Sequence, residues 1–218
     1  MSPHADYVIR MLPPAEEAHS RFEVAAGGLV LGPFVIHVPG RHNVLNATAA
    51  VAIGTQLDVT CEDIAHALRG YRGVDRRFQG KGSVRGVNVV DDYGHHPTEI
   101  RATLSAAREC GYRRVHVIFQ PHRYTRTRDL MTEFATAFDD ADTVQVLDIY
   151  AASEDPIAGV DAPALVRAVG RKEVQYAASF EEAVNRAVAQ AGDGDVIVTL
   201  GAGSVSQAAG KMCIRDSL

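Results

Sequence analysis

From about residue 80 onward the chain alternates β-branched runs with stretches of helical periodicity, and this alternation limits the fold more than any other feature. Strand-forming runs fall at 86–91, Val115–Phe119, Val144–Ile149, Val174–Ala177 and Val196–Leu200. Helical spacing occupies about 97–110, 126–139, 161–169 and 180–191, and the stripe Leu130, Phe134, Phe138 at i, i+4, i+8 reads as core. Strands alternating with helices of this length predict an α/β fold, a Rossmann-like, doubly wound and mostly parallel sheet covered on both faces. Right-handed crossovers then place the strand ends on one rim.

The first 75 residues have a different texture. Phe22–Ala25, Leu29–Leu31 and Phe34–Val38 are short strand candidates separated by Gly27-Gly28 and Gly32-Pro33 turns. No compact domain begins convincingly there, so an N-terminal truncation with open strand edges and poor solubility is expected. An alanine-rich helix follows Gly40 to about Leu57, with Asn43 and Asn46 three apart on one face near its start. Two amides there suit either capping or the polar edge of a purine. Thr60-Cys61-Glu62-Asp63 opens a short helix as a capping box ended by Gly70. A domain boundary is expected within Tyr71–Asp75, and Arg76 and Arg77 follow it as either a phosphate-binding pair or solvated linker charges.

Composition narrows the classes. With 218 residues, 46% hydrophobic and 22% charged, the chain suits one large or two modest soluble domains. A net charge of −5 argues against a dedicated nucleic-acid binder. Cys61, Cys110 and Cys213 are far apart and odd in number, which suits a reducing compartment. There is no apolar run of about 18 residues and no signal peptide, so a cytoplasmic protein without membrane attachment is expected.

The chemistry concentrates at two strand ends. Asp91-Asp92-Tyr93-Gly94-His95-His96-Pro97-Thr98-Glu99 runs from a strand into a helix, with Pro97 suited to its first position and Glu99 to its first turn. Four titratable groups, Asp91, Asp92, His95 and His96, within six residues favour a ligand site over plain turn capping. Adjacent histidines chelate poorly when extended, so zinc ranks below substrate or phosphate contact. The next strand ends in Gln120-Pro121-His122-Arg123-Tyr124-Thr125-Arg126-Thr127-Arg128, an anion-seeking loop at a helix start. Adjacent strands would set this loop beside His95 and His96. Asp148-Ile149-Tyr150, Glu154-Asp155-Pro156 and Gly201-Ala202-Gly203-Ser204 complete the rim, which suits an anionic, polar substrate.

GRHNVLNATAAVA (40–52), GVDRRFQ (73–79), DDYGHHPTEI (91–100), FQPHRYTRT (119–127) and DIYAASEDPI (148–157) together resemble the Mur ligases, in the branch of UDP-N-acetylmuramate–L-alanine ligase, from about residue 6 to 210. The branch that recycles murein tripeptide is similar around the aspartate–histidine turn. The resemblance implies a cytoplasmic, ATP-dependent, magnesium-using, amide-forming enzyme of peptidoglycan and cell-wall synthesis. Its partners would be UDP-N-acetylmuramate, L-alanine and ATP. By motif, Asn43 and Asn46 would contact adenine, Arg77 the phosphate chain and Asp92 the ribose surroundings. His96, Arg123 and Arg126 would be catalytic and line the site for amino acid and acyl phosphate, with Tyr93 and His95 beside them. Domain closure would then bring the rim onto the nucleotide.

The chain also departs from this pattern. The sequence contains no GxxxxGK[ST] phosphate loop. Residues 1–74 are therefore expected to be the truncated end of a central ATP-binding domain, 75–210 a C-terminal domain, and 211–218 an unrelated or artefactual tail. The magnesium ligands are expected outside this chain, which alone is expected to be inactive. A stand-alone binding module for an anionic metabolite is the competing class. A metal hydrolase using His95, His96 and His122 with Asp91 or Asp92 ranks last.

Overall fold

The computed structural model describes residues 5–13 and 20–214, which form two compact units divided between Gly73 and Val74. The first opens on three antiparallel strands in the order β1 (Tyr7–Leu12), β2 (Ser20–Ala26), β3 (Leu29–Ile36). Period-two alternation along β2 buries Phe22 and Val24 while Arg21 and Glu23 face outward. Phe22 pairs with Phe34 across the sheet, their ring centroids 5.7 Å apart. Gly27 and Gly28 make the two-residue hairpin turn, whose φ values of +56° and +82° suit glycine at both positions. The register shifts between Phe22 and Val24, and Gly32-Pro33 sit opposite that bulge, where proline's missing N–H disturbs the ladder least.

Two helices, α1 (Arg41–Gln56) and α2 (Cys61–Gly70), close this core with Val44, Ala47, Val51 and Ile64. Thr60 caps α2: its hydroxyl oxygen accepts the Asp63 N–H at 3.1 Å and its proton goes to the Asp63 carboxylate at 2.6 Å. β1 is absent from the sequence reading because its side chains are at most half-buried and show no clean alternation.

The second unit is built on a six-stranded sheet. Its strands are β4 (Gln79–Val84), β5 (Val87–Asp92), β6 (Val115–Phe119), β7 (Thr143–Val146), β8 (Val174–Tyr176) and β9 (Val196–Leu200), in the order β4-β5-β9-β6-β7-β8. All pairs are parallel except β4 with β5. The helices are α3 (Pro97–Glu109), α4 (Tyr124–Asp129), α5 (Met131–Phe134), α6 (Ala162–Val169), α7 (Phe180–Gln190) and α8 (Ser206–Ile214). Alternate strand residues serve opposite faces, as a doubly covered sheet requires. Val90, Val117, Phe119, Val198 and Leu200 pack on Ile100, Leu104, Phe134, Phe138 and Leu165. Val89, Ile118 and Ile197 pack on Val184 and Ala187 of α7 and on Ala208 and Met212 of α8.

Four details differ from the sequence reading. β9 lies between β5 and β6, so those two strands are not neighbours. The unit opens with the antiparallel strand β4, hidden in sequence because Gln79-Gly80-Lys81-Gly82-Ser83-Val84 is glycine-rich and mostly exposed. The expected helix 126–139 starts earlier, at Tyr124, and breaks at Leu130 (φ −111°, ψ 18°) into α4 and α5. Finally, α8 continues past Gly210, where the sequence reading ends the C-terminal domain, to Ile214, and buries Met212. The last four residues of the expected tail lie outside the described residues, as does Met1.

A polar knot fastens the amino-terminal ends of the central strands. His116, fully buried, contacts the Thr143 hydroxyl through Nδ1 at 2.8 Å and the Asp195 carboxylate through Nε2 at 3.3 Å. Asp195 also accepts from Arg113 Nε at 3.1 Å and from the Gly192 N–H at 2.8 Å. Burial alone would raise the Asp195 pKa, but these donors together hold it down to about 2. Burial lowers that of His116 despite its carboxylate neighbour.

Two outcomes follow. Leu104→Ala, which empties a fully buried site, should lower the unfolding free energy of the second unit by about 2–5 kcal/mol. An unmoved urea midpoint would contradict that packing. For Asp195, a folded pKa below the unfolded one means stability present above pH 3.8 and lost as pH falls toward about 2. His116, depressed below 6.5, acts in the same direction at higher pH, because the unfolded chain takes up its proton first. Acid-unfolding curves should therefore flatten between pH 3.8 and 2 in Asp195→Asn at its own lower stability; an unchanged slope would contradict the knot.

Candidate functional site

The carboxyl ends of β5, β9 and β6 meet where the strand order reverses, the place where open α/β sheets bind ligands. Asp91, at the end of β5, is wholly buried. It accepts from Arg76 Nε at 3.2 Å and from the Thr199 hydroxyl at 2.6 Å. Arg76 also donates to the Gly201 carbonyl, so one guanidinium joins the ends of β5 and β9. Asp92 accepts the N–H of Phe78 and of Gly94, each at 2.7 Å. The turn-capping role weighed for Asp92 is therefore present.

Tyr93 carries two guanidiniums over its ring, Arg76 at 5.0 Å and Arg77 at 5.6 Å from the centroid. From Tyr93 a chain of rings crosses the rim. His95 lies edge-on at 5.4 Å, His122 follows at 5.5 Å, and Tyr150 stacks on His122 at 5.5 Å with a 16° tilt. The loops after β5 and β6 thus meet over β9, although the strands themselves do not. Gly203 lies beneath Tyr150 and Gln120: a Cβ there would come within 2.7 Å of the Tyr150 ring and 2.6 Å of Gln120 Oε1. The GAGS turn is small because the ring wall needs that space.

His96 is the N-cap of α3. Its Nδ1 accepts the Thr98 N–H at 3.3 Å, and Glu99 completes a capping box. Glu99 Oε2 accepts the N–H of His95 at 3.0 Å and of His96 at 3.2 Å. Arg77 stands 3.9 Å from its other oxygen. Burial would raise the Glu99 pKa, but the two N–H donors and the neighbouring His95 and Arg77 charges bring it below the ordinary value.

On the β6 side, Arg123 is exposed and caps α4 with a strained φ of +75°, its N–H bonded to the Tyr150 carbonyl at 2.9 Å. Arg126 Nη1 donates to His122 Nδ1 at 3.1 Å and approaches the His122 carbonyl at 3.3 Å. Glu154 clamps this turn by accepting the Thr125 hydroxyl at 2.6 Å and the Thr125 N–H at 2.9 Å. The His122 pKa is lowered by burial first and then by positive charge on His95, Arg126 and Arg123. Both causes favour the neutral imidazole.

Among the expected site residues, Arg77, Asp92, Tyr93, His95, His96, Arg123 and Arg126 all sit on this rim. Asn43 and Asn46 belong to the first unit. There they line a groove of about 310 Å³ with Ile36, Val38, Ala47, Ala50, Leu68 and Tyr71. Asn43 does not cap with its oxygen; its amide nitrogen donates to the Pro39 carbonyl at 2.7 Å. The sequence reading gives no role to Glu99 beyond the helix dipole, and none to Tyr150 or Glu154 beyond their place on the rim. The partners of Tyr150 and Glu154 lie up to 29 residues away in sequence and carry no short-range signal, and the box that Glu99 closes is masked by its unusual histidine cap.

Residues 76–203 match the model of the Mur ligase family's glutamate ligase domain. The chain belongs to the Mur ligase family. The UDP-N-acetylmuramate–L-alanine ligase of Acidobacterium capsulatum is 63% identical over 205 residues, which cover 94% of this chain and 45% of that protein. The corresponding ligase of Koribacter versatilis is 55% identical, over 93% of this chain and 45% of its own. The chain thus spans about 45% of the length of these Mur ligases. Among solved structures, the UDP-N-acetylmuramate–alanine ligase MurC of Thermotoga maritima superposes with a TM-score of 0.80 at 28% identity, covering 99% of this chain and 47% of that one. The MurF ligase of the same organism, solved with ADP, shares the fold at 16% identity and a TM-score of 0.72, over 97% of this chain and 46% of that one. Among the described residues no helix is long and apolar enough to cross a membrane.

Asp91→Ala should cost about 3–5 kcal/mol, because it leaves the partly buried Arg76 guanidinium without its carboxylate. A denaturation midpoint equal to that of the unsubstituted chain would contradict the pairing.

Proposed function

We propose that this chain is part of an ATP-dependent ligase that joins L-alanine to the lactyl carboxylate of UDP-N-acetylmuramate, and that the rim of the second unit receives the amino acid. The observation carrying this reading is the row of rings Tyr93, His95, His122 and Tyr150 with Arg126 bonded to His122, set at the switch point of a Mur ligase domain and coupled with 63% identity to an alanine-adding relative. Arginines suit this task, since their planar fork pairs with the carboxylate of an amino acid or the oxygens of an acyl phosphate. In the proposed reaction ATP phosphorylates the sugar carboxylate, the alanine amine attacks the resulting carbonyl carbon, and phosphate departs with the C–O bonding pair. His96 and Tyr93 border the reacting groups, and Arg77 and Asp92 belong to the nucleotide side.

The first unit supports the nucleotide part of the proposal through chemistry of its own. The groove around Asn43 and Asn46, about 310 Å³ with mostly apolar walls, suits a purine ring, and the two amides offer donors and acceptors at its edge. On this reading residues 1–74 end a central ATP-binding domain and 75–210 form the core of the C-terminal one. Magnesium is a different matter. The described residues contain no group of three or more His, Cys, Asp or Glu placed to hold a metal ion, so no step here runs through it.

The test replaces the corresponding part of the Acidobacterium capsulatum ligase with this chain and measures phosphate release. Release that depends on L-alanine and on UDP-N-acetylmuramate is expected. Arg126→Ala in that chimaera should lower turnover by about two orders of magnitude with the fold intact. Phosphate release indifferent to L-alanine, or turnover unaffected by Arg126→Ala, would contradict the assignment.

A further inference from the structure

Three imidazoles stand on the rim, and their hydrogen bonds hold them in different tautomers. His95 Nδ1 lies 3.0 Å from the Tyr93 carbonyl oxygen and 3.5 Å from Glu99 Oε2. Both neighbours can only accept, so Nδ1 carries the proton and Nε2 keeps its lone pair. His122 is the reverse. Its Nδ1 faces Arg126 Nη1 at 3.1 Å, a group that can only donate, so a neutral ring carries its proton on Nε2. His96 Nδ1 accepts the Thr98 N–H at 3.3 Å, which likewise leaves the proton on Nε2. Of the three rings, His95 is the one whose outer nitrogen can receive a proton.

Glu99 is built to maintain that state. One of its carboxylate oxygens takes the backbone N–H of both His95 and His96 and also lies within 3.5 Å of the His95 ring nitrogen. It therefore fixes the backbone that aims the ring and places negative charge behind Nδ1–H. The charged and titratable groups around His95 are Tyr93 and Glu99 on its own loop and helix, His122 and Arg126 from the β6 side, and Arg77 on Glu99. A second imidazolium at His122, 5.5 Å away, would oppose protonation of His95.

We infer that Glu99 is a positioning residue that holds His95 with Nδ1–H against its own loop and the Nε2 lone pair turned away from it, so that His95 takes the proton released when the amine of the incoming amino acid attacks the acyl phosphate. The step balances: nitrogen forms the bond to carbon, phosphate leaves with the electron pair of the broken C–O bond, and the amine proton moves to His95 Nε2. The proton transfer rests on the proposed function above, whereas the tautomers do not.

Side-chain nitrogen NMR of the 218-residue chain at mildly alkaline pH decides the tautomers, with peaks assigned by the single variants His95→Gln, His96→Gln and His122→Gln. His95 is expected to be protonated on Nδ1, and His96 and His122 on Nε2. His95 protonated on Nε2, or showing the mixture of a free imidazole, would overturn the inference. Glu99→Gln retains an acceptor for the capping box and leaves the Tyr93 carbonyl in place, so its circular dichroism should match the unsubstituted chain while the Nδ1–H preference of His95 weakens as the negative charge behind it is lost. An unchanged preference in that variant removes Glu99 from the positioning role. In the chimaera, Glu99→Gln should lower kcat about tenfold with little change in KM for L-alanine, part of what general base catalysis supplies. A change in KM alone would overturn the proton-transfer step. If the unsubstituted chimaera is itself silent toward L-alanine, the functional reading fails with that step, while the NMR result still stands or falls on its own.

Discussion

A buried carboxylate at a strand end is the constraint on which the rim depends. Asp91 has no exposure to water, so its charge must be met by protein, and Arg76 meets it. The same arginine reaches the Gly201 carbonyl, accepts the Tyr93 N–H on its own carbonyl at 2.6 Å and lies over the Tyr93 ring. Four parts of the rim are thus referred to one arginine: its guanidinium holds the ends of β5 and β9 and the first ring of the aromatic chain, and its backbone carbonyl holds the turn that begins the DDYGHH loop. Thr199, between the strands, supplies the second donor to Asp91 from inside the sheet.

The topology explains why chemistry from distant segments converges here. β9 enters between β5 and β6, so each of their loops must extend over its end to meet the other; His95 against His122 is the contact they make, and Tyr93 and, from the loop after β7, Tyr150 extend the row of rings. Gly201 and Gly203 keep the β9 end low; side chains there would collide with the Gln120 carbonyl at 2.7 Å and with the Tyr150 ring. Packed rings, a strained Arg123 and the Glu154 clamp preorganise the rim, which reduces the ordering an anionic ligand would have to impose.

Much of this architecture is legible in the chain because the central strands are continuous β-branched runs, and Val115–Phe119 and Val196–Leu200 coincide with the observed β6 and β9. The loaded strand ends are likewise visible as clusters of titratable residues. Strand order is less legible: the apolar run of β9 suits any interior position, and nothing local places it between β5 and β6. β4 escapes because its glycines and bulge remove the alternation. The break at Leu130 escapes because the stripe Leu130, Phe134, Phe138 continues through turns as readily as through a helix. The His96–Glu99 box combines an unusual capping side chain with an expected acidic partner, so sequence shows only the second half.

The central claim is that the β5–β6–β9 rim receives an amino acid and an anionic acyl group. The most direct measurement is a backbone NMR titration of the isotopically labelled chain with L-alanine together with inorganic phosphate. The account predicts shift changes concentrated at Tyr93, His95, His122, Arg123 and Arg126, with the knot around His116 and Asp195 unmoved. Changes scattered over both units, or a rim that stays silent at saturating alanine and phosphate, would contradict it.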